Sequence, residues 1–353
     1  MTAWVVRAGK HGENEQYNLE RGRVTVGWAD TGDLTTCQSR EDVRARLESI
    51  WPDMTAKQLG NFTGQLWAFR GLIQPGDLML LPLKTKPGYI QFGRVTGDYA
   101  FDPTEPEPTR RHLRPVEWLG EPVARAAINE DLLLILGAYL TVFSPSRNNA
   151  AERLEALAQT GSDPGLGAEA PTEPAPTRSN GDDSTDVTDP ELVPTLETIR
   201  DRVRSHVAVT FREHRLTRLV ADILTVLGYH CEVSPPGPDG GVDILAGRGP
   251  LGLDSRIVVE VKSEPSPIGT SVVRGLHSAW MQHQAQQGLL VAWGGLTRPA
   301  ALEFKKLTWL RVWDAEALLE KLFETYEHLP AATKEQIPLR QVWVLDDDET
   351  SAT

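Results

Sequence analysis

The chain has 353 residues with 40% hydrophobic and 24% charged side chains, a composition that excludes wholesale disorder and a fibrous repeat. At about 100 to 200 residues per domain, this length predicts two domains. The most apolar stretch, residues 132–142, is about half as long as a membrane-spanning helix, so we expect a core helix there. The residues after Trp4 lack the apolar stretch and the small-residue cleavage site of a secretory signal. We therefore expect a cytoplasmic protein without a membrane partner. Cys37 and Cys231 have neither disulfide nor zinc-site spacing.

The net charge of −13 is concentrated between the two predicted domains. Residues 146–195 carry −7 of it, whereas residues 1–145 carry −2 and residues 196–330 carry −1. Phosphate binding depends on Lys and Arg, so an evenly spread negative charge would argue against a nucleic-acid partner. Because both domains are nearly neutral, the charge neither excludes DNA or RNA nor supports them.

Residues 146–195 are rich in Pro, Thr and Asp and have almost no large apolar side chain after Leu166. Such a segment cannot bury enough surface to offset its ordering entropy. We therefore predict a disordered acidic linker over 146–195, between a first domain at 1–145 and a second at 196–330. Residues 331–353 are predicted to form a short strand at 341–345 and an acidic tail.

The first domain combines short strands with two helices. Its hydrophobic periodicity and regularly spaced turn residues are typical of a small β-barrel. The predicted strands are 4–8, 23–28, 78–82, 89–95 and 112–118, and the predicted helices are 40–50 and 55–72.

The second domain is predicted to be a mixed sheet with helices on both sides. A helix comes first, an antiparallel hairpin follows, and strands then alternate with helices. The predicted helices are 212–227, 271–286, 298–306 and 314–326, and the strands are 229–233, 241–246, 256–262, 289–292 and 310–313. The predicted fold class is therefore α+β or α/β in two domains.

The hairpin of the second domain carries the candidate chemistry. It is predicted to be symmetric about Leu251 and Gly252. Asp243 then faces Glu260, and strand alternation puts Lys262 on the same face as Glu260. Two carboxylates with open positions suit a magnesium ion that also takes a phosphate oxygen, and a neighbouring lysine can orient or deprotonate a water.

An ordinary cross-strand ion cluster on a surface hairpin is the alternative interpretation. The residues around Asp243 and Glu260 are apolar on both faces of the predicted strands, which indicates buried central strands. Ionised groups are costly there unless they are paired or bind a metal. The pattern therefore favours a site for phosphodiester hydrolysis.

Several segments of the second domain follow one another in an order typical of one nuclease family. They are residues 219–229, 238–244, 259–262 and 268–276, followed by 288–292 and 310–319. This series resembles the Mrr-type branch of the PD-(D/E)xK restriction endonucleases and covers residues 205–325. The resemblance implies a DNA endonuclease in which Asp243, Glu260 and the Val261 carbonyl hold a metal. It also implies that Lys262 acts on the attacking water, and we expect Mg²⁺, with Mn²⁺ able to substitute.

The first helix of the second domain departs from the pattern of that family. Many members have a glutamate there that helps the metal site, whereas Thr217 stands at the corresponding position in this chain. Glu213 lies one turn earlier on the same face. Whether Glu213 substitutes, and whether one or two metals bind, stays open.

Two residues on the helix after the hairpin are further candidates for DNA contacts. Arg274 can contact a phosphate, with a surface salt bridge as the alternative. Gln282 can do the same, with a solvated helix end as the alternative.

Glycine-aspartate turns and aromatic residues mark the first domain. The turns are Gly32-Asp33, Gly76-Asp77 and Gly97-Asp98, and the aromatic residues are Trp28, Tyr99 and Trp118. These segments resemble the PUA/EVE group of small barrels, which implies a reader of a modified base or of a nucleotide. The aromatic residues either fill the barrel core or stack on a flipped base. Since stacking offsets only part of the cost of base extrusion, we expect phosphate contacts from Arg94, Arg110, Arg111 and Arg114.

Our leading hypothesis is a defence nuclease that cuts foreign, modified double-stranded DNA and acts as a homodimer or a larger homo-oligomer. One alternative is an effector whose first domain binds a small nucleotide signal and releases DNA cleavage. Another is a DNA-binding module with an inactive site, against which the intact Asp243, Glu260 and Lys262 argue.

Overall fold

The structure of the chain is a computed structural model that describes residues 1–166, 187, 195–235 and 242–342. The chain divides into two compact units, Met1–Asp201 and Arg202–Thr353. The division lies six residues after the predicted boundary at 195. None of the helices in the described stretches combines the length and the apolar character needed to cross a membrane.

The first unit contains seven strands and five complete α-helices among its described residues. The strands are β1 (Ala3–Val6), β2 (Arg23–Val26), β3 (Leu78–Leu83), β4 (Tyr89–Val95), β5 (Ala100–Phe101), β6 (His112–Ala124) and β7 (Val142–Phe143). The helices are α1 (Glu15–Arg21), α2 (Arg40–Ile50), α3 (Ala56–Trp67), α4 (Glu130–Leu136) and α5 (Ala150–Thr160). A further helix, α6 (Leu196–Thr210), begins in the first unit and ends in the second.

The strands of the first unit form one curled, open sheet in the order β2-β6-β4-β3-β1-β7, with β5 paired to β6. β1 and β3 are parallel, and the other pairs are antiparallel. The thirteen residues of β6 pair with β2 through their first part and with β4 through their second part. The sheet is thus a half-barrel, because β2 and β7 remain at its two ends instead of closing on each other.

Two helix starts of the first unit follow directly from the sequence. Ser39 caps α2 and Thr55 caps α3, each in a reciprocal capping box with the residue three positions later. The predicted helix 55–72 is confirmed, although its last turn, Ala68–Leu72, is a π-helix. The buried Asp77 carboxylate then accepts hydrogen bonds from the backbone of Thr2 and from the indole of Trp4, which fixes the start of β3 beside β1.

The linker prediction is wrong for residues 150–166. Residues 150–160 form α5, and Ala150, Leu154 and Leu157 are fully buried in the core of the first unit. Arg153 is also buried and pairs with Asp131 and Asp163. The average composition of 146–195 concealed this short amphipathic helix. Apart from Val187, residues 167–194 of the predicted linker lie outside the described residues.

A buried ion network holds the start of α6 against the first unit. Glu197 accepts from Arg7 at 3.1 Å and lies 3.1 Å from Arg125, which also pairs with Asp201. Burial alone raises the pKa of Glu197, but the charges of Arg125, Arg7 and Lys84 outweigh it and lower the pKa to about 2. The Glu197 carboxylate therefore stays ionised, and its ion pairs, with that of Asp201, explain why residues 196–201 group with the first unit.

The second unit is a five-stranded mixed sheet in the order β12-β11-β10-β9-β8. Its strands are β8 (His230–Val233), β9 (Ile244–Arg248), β10 (Asp254–Lys262), β11 (Gln287–Ala292) and β12 (Leu310–Trp313). Its helices are α7 (His214–Val226), α8 (Thr270–Gln282), α9 (Arg298–Phe304), α10 (Ala315–Thr325) and α11 (Ala331–Gln336). β8, β9 and β10 are antiparallel, whereas β10, β11 and β12 are parallel.

The observed order of elements in the second unit confirms the prediction of a hairpin followed by alternating strands and helices. The apolar face of α7 is buried through Leu216, Leu219, Val220 and Ile223. The C-terminal segment differs, because α11 was not predicted and residues 341 and 342 are not in a strand. The remainder of the predicted strand 341–345 and the acidic tail lie outside the described residues, as do residues 236–241 before β9.

Candidate functional site

The register of the β9–β10 hairpin brings the predicted carboxylates together. Ile244 is paired with Val259, and the N–H of Asp243, the residue before β9, donates to the carbonyl of the same Val259, so Asp243 lies beside the part of β10 that carries Glu260. The pairing shifts by one residue near the turn, where the strands are irregular. The symmetric count from the sequence therefore holds for residues 244–246, whereas Asp243 lies just outside that register, beside Val259 and Val261.

Asp243 is fixed to β10 by its own backbone and side chain. Its Oδ2 atom accepts a hydrogen bond from the backbone N–H of Val261 at 2.7 Å. Its N–H donates to the carbonyl of Val259 at 2.9 Å, and its carbonyl accepts from the N–H of Ser234 at 2.9 Å. The position of this carboxylate is therefore set by the strands on both sides of it.

Glu260 and Lys262 form an ion pair on the same face of β10. The Nζ atom of Lys262 lies 3.1 Å from Oε1 of Glu260. Glu260 is buried, whereas the side chain of Lys262 is 31% exposed. Partial burial by itself lowers the pKa of Lys262, but the hydrogen bond to Glu260 and the charges of Glu260, Asp243 and Glu264 outweigh it and raise the pKa. Lys262 is therefore a cation at neutral pH.

The acidic pair and Lys262 lie on the face of the sheet that α8 covers. Glu260 is paired with Leu290 of β11, and the next residue but one, Lys262, is paired with Ala292. Both β11 residues belong to a buried cluster that contains the apolar side chains of α8. Because side chains alternate along a strand, the charged groups share this face at the carboxyl end of β10.

The donor atoms at this edge fit a small divalent cation. Carboxylate and carbonyl oxygens are the ligands that Mg²⁺ prefers in proteins. Asp243 and Glu260 supply two carboxylates, and the N–H of Val261 points to Asp243. The N–H and C=O of one strand residue point to the same side, so the Val261 carbonyl also points to the side of Asp243.

The first helix of the second unit does not add a third carboxylate to this pair, either at Thr217 or at Glu213. Thr217 is buried in α7 and is 3% exposed. Glu213 has an exposed side chain and a positive φ of 51°, and its N–H donates to the Oγ of Ser263 at 3.1 Å. In the part of the chain that the structure describes, no three His, Cys, Asp or Glu side chains are grouped as metal ligands. Water would therefore complete the coordination of a bound cation.

Arg274 is paired with an acidic residue of α9, and Gln282 lies far along β10 from the acidic pair. Arg274 makes a two-fold salt bridge to Glu303, at 2.9 and 3.2 Å. Gln282 ends α8 close to where the N–H of Gln286 donates to the carbonyl of Arg256. That end lies beside the beginning of β10, about 13 Å along the strand from Glu260. A DNA contact by either residue stays a prediction.

Tyr99 and Trp118 are structural residues of the first unit. The hydroxyl of Tyr99 accepts from the N–H of Leu34 at 3.2 Å and lies 2.8 Å from Nδ1 of the buried His112. The indole N–H of Trp118 donates to the carbonyl of Asn18 at 3.0 Å. Both side chains therefore have the core role that was the alternative to base stacking.

The prediction that Arg114 contacts phosphate is wrong, because its side chain is buried. It is 1% exposed, and its guanidinium donates to the carbonyls of Phe69, Gly97 and Arg70. Burial lowers its pKa to about 10. All three donor nitrogens are thus used to hold backbone carbonyls inside the first unit.

The other predicted arginines of the first unit are engaged but accessible. Arg94 makes a two-fold contact with Glu155 of α5, at 2.6 and 2.9 Å. Arg110 lies over the ring of Tyr17 at 4.5 Å, and Arg111 donates to a backbone carbonyl at 3.0 Å. A phosphate would compete with these partners, so phosphate contacts by these residues stay predictions.

Trp28 has an unusual backbone for an aromatic residue. Its φ of 59° is left-handed, and its carbonyl accepts hydrogen bonds from the N–H and the hydroxyl of Thr31 and lies 3.2 Å from Nε2 of His112. Its partly buried ring lies edge-on to Phe62, with centroids 5.6 Å apart. Phe62 lies edge-on to Trp51 at 6.4 Å. Sequence reasoning missed Phe62 and Trp51, since tertiary packing alone brings residues 28, 51 and 62 together.

Comparisons with known proteins agree with the geometry of the second unit. Residues 209–322 match the sequence profile of a family described as restriction endonuclease, the catalytic family Mrr_cat. Residues 4–133 match a family described as a domain of unknown function, DUF8426. The predicted PUA/EVE resemblance of the first unit is therefore not confirmed. Among curated proteins, none has a significantly similar sequence.

Solved structures with significant similarity include two restriction enzymes. The DNA modification-dependent restriction endonuclease AspBHI is 16% identical, with a TM-score of 0.33 over 80% of this chain and 73% of that one. The MspJI restriction endonuclease in complex with a 27-mer oligonucleotide is 13% identical, with a TM-score of 0.33 over 95% and 79%. AF1548, a protein of unknown function, is 16% identical, with a TM-score of 0.25 over 30% and 65%. These likenesses are too low to assign a substrate. Residues 209–322 of this chain are a restriction endonuclease domain of the Mrr type.

Proposed function

We propose that the chain is a divalent-metal-dependent DNA endonuclease that acts in host defence on foreign, modified DNA. The observation that carries this proposal is that Asp243 is bonded to β10 between Glu260 and Lys262, which form an ion pair, inside a restriction endonuclease domain. A buried carboxylate, a second carboxylate fixed by the backbone and a cation are an unusual set for a purely structural hairpin. They are suited to binding a metal and a phosphate together.

Each residue of the set has a distinct role in this proposal. Asp243, Glu260 and the Val261 carbonyl would hold Mg²⁺, or Mn²⁺ in its place, which would supply a bound water of lowered pKa and charge stabilisation for a phosphate oxygen. Lys262 donates hydrogen bonds to the attacking water and to the phosphate. Its salt bridge to Glu260 places the ammonium beside the metal-binding carboxylates, which supports this orienting and charge-stabilising role.

For the first unit we propose a reader that stacks a base on the aromatic group of Trp28, Phe62 and Trp51. A bulky residue at positive φ costs about 1–3 kcal/mol, and such strain concentrates at binding sites. In this protein, the hydrogen bonds to the Trp28 carbonyl hold Trp28 at its positive φ. The Cβ positions of Gly27 and Gly32 have no other atom within 4 Å, which leaves room for a planar ligand to approach.

Plasmid cleavage tests the proposal as a whole. The pure protein is incubated with plasmids that carry or lack cytosine or adenine modification, with and without Mg²⁺. Cleavage that needs the metal and prefers a modified plasmid supports both parts of the proposal. Metal-dependent cleavage without preference would remove the reader and keep the nuclease. If the protein cuts DNA only when a nucleotide or cyclic oligonucleotide is added, the first unit is a sensor of that ligand instead.

We also propose that the active form is a homodimer or a larger homo-oligomer. Each chain supplies one set of Asp243, Glu260 and Lys262, whereas a DNA duplex has two strands to cut. Two copies are therefore needed to break both strands in one encounter. Sedimentation of the protein with duplex DNA checks this, and a single chain per duplex that makes double-strand breaks in one encounter would contradict it.

A further inference from the structure

A cavity of about 320 Å³ lies beside α7 in the second unit, and none of its lining residues has a role in the proposed catalytic site. Arg215 and Arg218 line it from α7, and Phe211, Leu219 and Val233 give it an apolar wall. An apolar wall excludes water from a charged group and strengthens its attraction for a ligand of opposite charge. The cavity therefore suits an anion with polar oxygens.

The charges that face the cavity leave a positive surplus. The Nη2 atom of Arg215 donates to Oε1 of Gln336 at 3.1 Å, which holds the guanidinium in place without neutralising it. Arg218 has neither an ion-pair partner nor a hydrogen-bonded one among the described residues. Asp222, the acidic residue of the lining, accepts a hydrogen bond from the hydroxyl of Thr333. Two guanidiniums and one carboxylate give a net charge of +1.

Two hydrogen bonds connect residues around the cavity to the catalytic edge, the end of the sheet that carries Asp243, Glu260 and Lys262. Val233 lines the cavity, and its neighbour Ser234 donates its N–H to the carbonyl of Asp243 at 2.9 Å. On the other side, the N–H of Glu213, two residues before Arg215, donates to the Oγ of Ser263, which follows Lys262. The first turn of α7, which carries Arg215, thus lies at the same end of the sheet as the carboxylates, with Val233 and the cavity on the opposite face from Glu260.

We propose that Arg215 and Arg218 bind a backbone phosphate of the DNA that is cut, away from the scissile phosphate. Neighbouring phosphates of one strand are about 3.4 Å apart along the helix axis, so a strand that crosses the catalytic edge can place another phosphate in this cavity. Arginine presents a planar fork of donors that matches phosphate oxygens. The contact is to the backbone, so it positions DNA without reading its sequence or modification.

This inference rests on the proposed DNA endonuclease activity, and salt-dependent binding of the full-length chain tests it. Affinity for an unmodified duplex is measured at several salt concentrations without divalent metal, so that no cleavage occurs. The double variant R215Q/R218Q should bind about tenfold more weakly, and its slope of log affinity against log salt should be smaller by about 1 to 2. R215K/R218K should keep most of the slope, because lysine also neutralises phosphate.

Arg256→Gln is the matched control, since Arg256 is exposed at the opposite end of β10. It should keep the wild-type slope, and a slope lowered as much as in the double variant would overturn the inference. An unchanged slope in a folded R215Q/R218Q protein would also overturn it, while wild-type cleavage would leave the proposed nuclease standing. Saturable binding of ATP that the double variant loses, with an unchanged DNA slope, would assign the cavity to a free nucleotide and overturn the DNA contact.

Discussion

The Oδ2 atom of Asp243 accepts a 2.7 Å hydrogen bond from the backbone N–H of Val261, so one carboxylate of the site is fixed to the strand that carries the other. Asp243 therefore has a structural role in addition to its proposed role as a metal ligand. A substitution that removes the whole side chain disturbs both roles. An isosteric substitution can separate them.

Asp243→Asn should abolish most cleavage while it keeps the fold. The amide oxygen can still accept from Val261, but the charge that holds a cation is lost, so we expect a rate at least ~10²-fold lower. Asp243→Ala should lose as much activity and should also destabilise the second unit by about 1–3 kcal/mol, because the Val261 N–H loses its partner. Cleavage rates and denaturant unfolding check this, with the exposed Glu232→Gln on β8 as the control. Wild-type cleavage by either Asp243 variant would show that the site is elsewhere.

Lys262→Ala should lower the single-turnover cleavage rate by at least ~10²-fold, because a positioned cation that stabilises charge on the phosphate is lost. Metal binding, measured by calorimetry, should be retained or become tighter, since Lys262 competes with a cation for Glu260. Lys262→Arg should recover part of the rate. Loss of metal binding in the Ala variant would mean that Lys262 mainly maintains the structure.

The symmetric hairpin count predicted the pairing of residues 244–246 with 257–259 correctly because side-chain alternation and a short turn restrict the register. The element order of the second unit was also predictable, because its strands are buried and its helices are clearly amphipathic. The roles of single arginines were not. Arg114 and Arg94 have the same chemistry, and only tertiary packing decides that the first is buried against three carbonyls and that the second pairs with Glu155.

Arg114→Ala should unfold or strongly destabilise the first unit instead of selectively weakening DNA binding. The buried guanidinium donates to three backbone carbonyls, which would lose their partners, and we expect a cost of about 2–5 kcal/mol. Arg94→Ala removes a half-exposed ion pair and should cost about 1 kcal/mol or less. Thermal unfolding of both variants checks this. A stable Arg114→Ala protein that has lost only DNA affinity would restore the phosphate contact.

Acid should destabilise the first unit through His112. Burial, opposed by a hydrogen bond to the Trp28 carbonyl and by the charge of Asp33, lowers the pKa of His112 to about 4. The unfolded histidine, with a pKa of about 6.5, binds more protons between these values, so this contribution is complete above pH 6.5 and is lost as the pH falls through 4. We expect a loss of up to about 3 kcal/mol, measured by denaturant unfolding against pH. His112→Gln should flatten that dependence, and an unchanged slope in the variant would assign it to other groups.

Trp28→Gly should be more stable than Trp28→Ala by about 1 kcal/mol, because glycine adopts a φ of 59° without strain. Both variants remove the ring, so both should lose the preference for modified duplex while the dependence of affinity on salt stays unchanged. Trp118→Ala is the matched control, since its indole N–H is bound to a backbone carbonyl within the unit. Retained preference in folded Trp28 variants would remove this aromatic group from the reader.

The central claim is that Asp243, Glu260 and Lys262 cut DNA with a divalent metal. The most direct measurement is a Mg²⁺ titration of plasmid cleavage by wild-type protein and by Asp243→Asn, with chelator in a parallel series. The account predicts that wild-type cleavage rises with Mg²⁺ and disappears with chelator, and that the variant stays inactive across the whole titration although it is folded and binds DNA. Equal cleavage by the two proteins, or wild-type cleavage that persists in chelator, would contradict it.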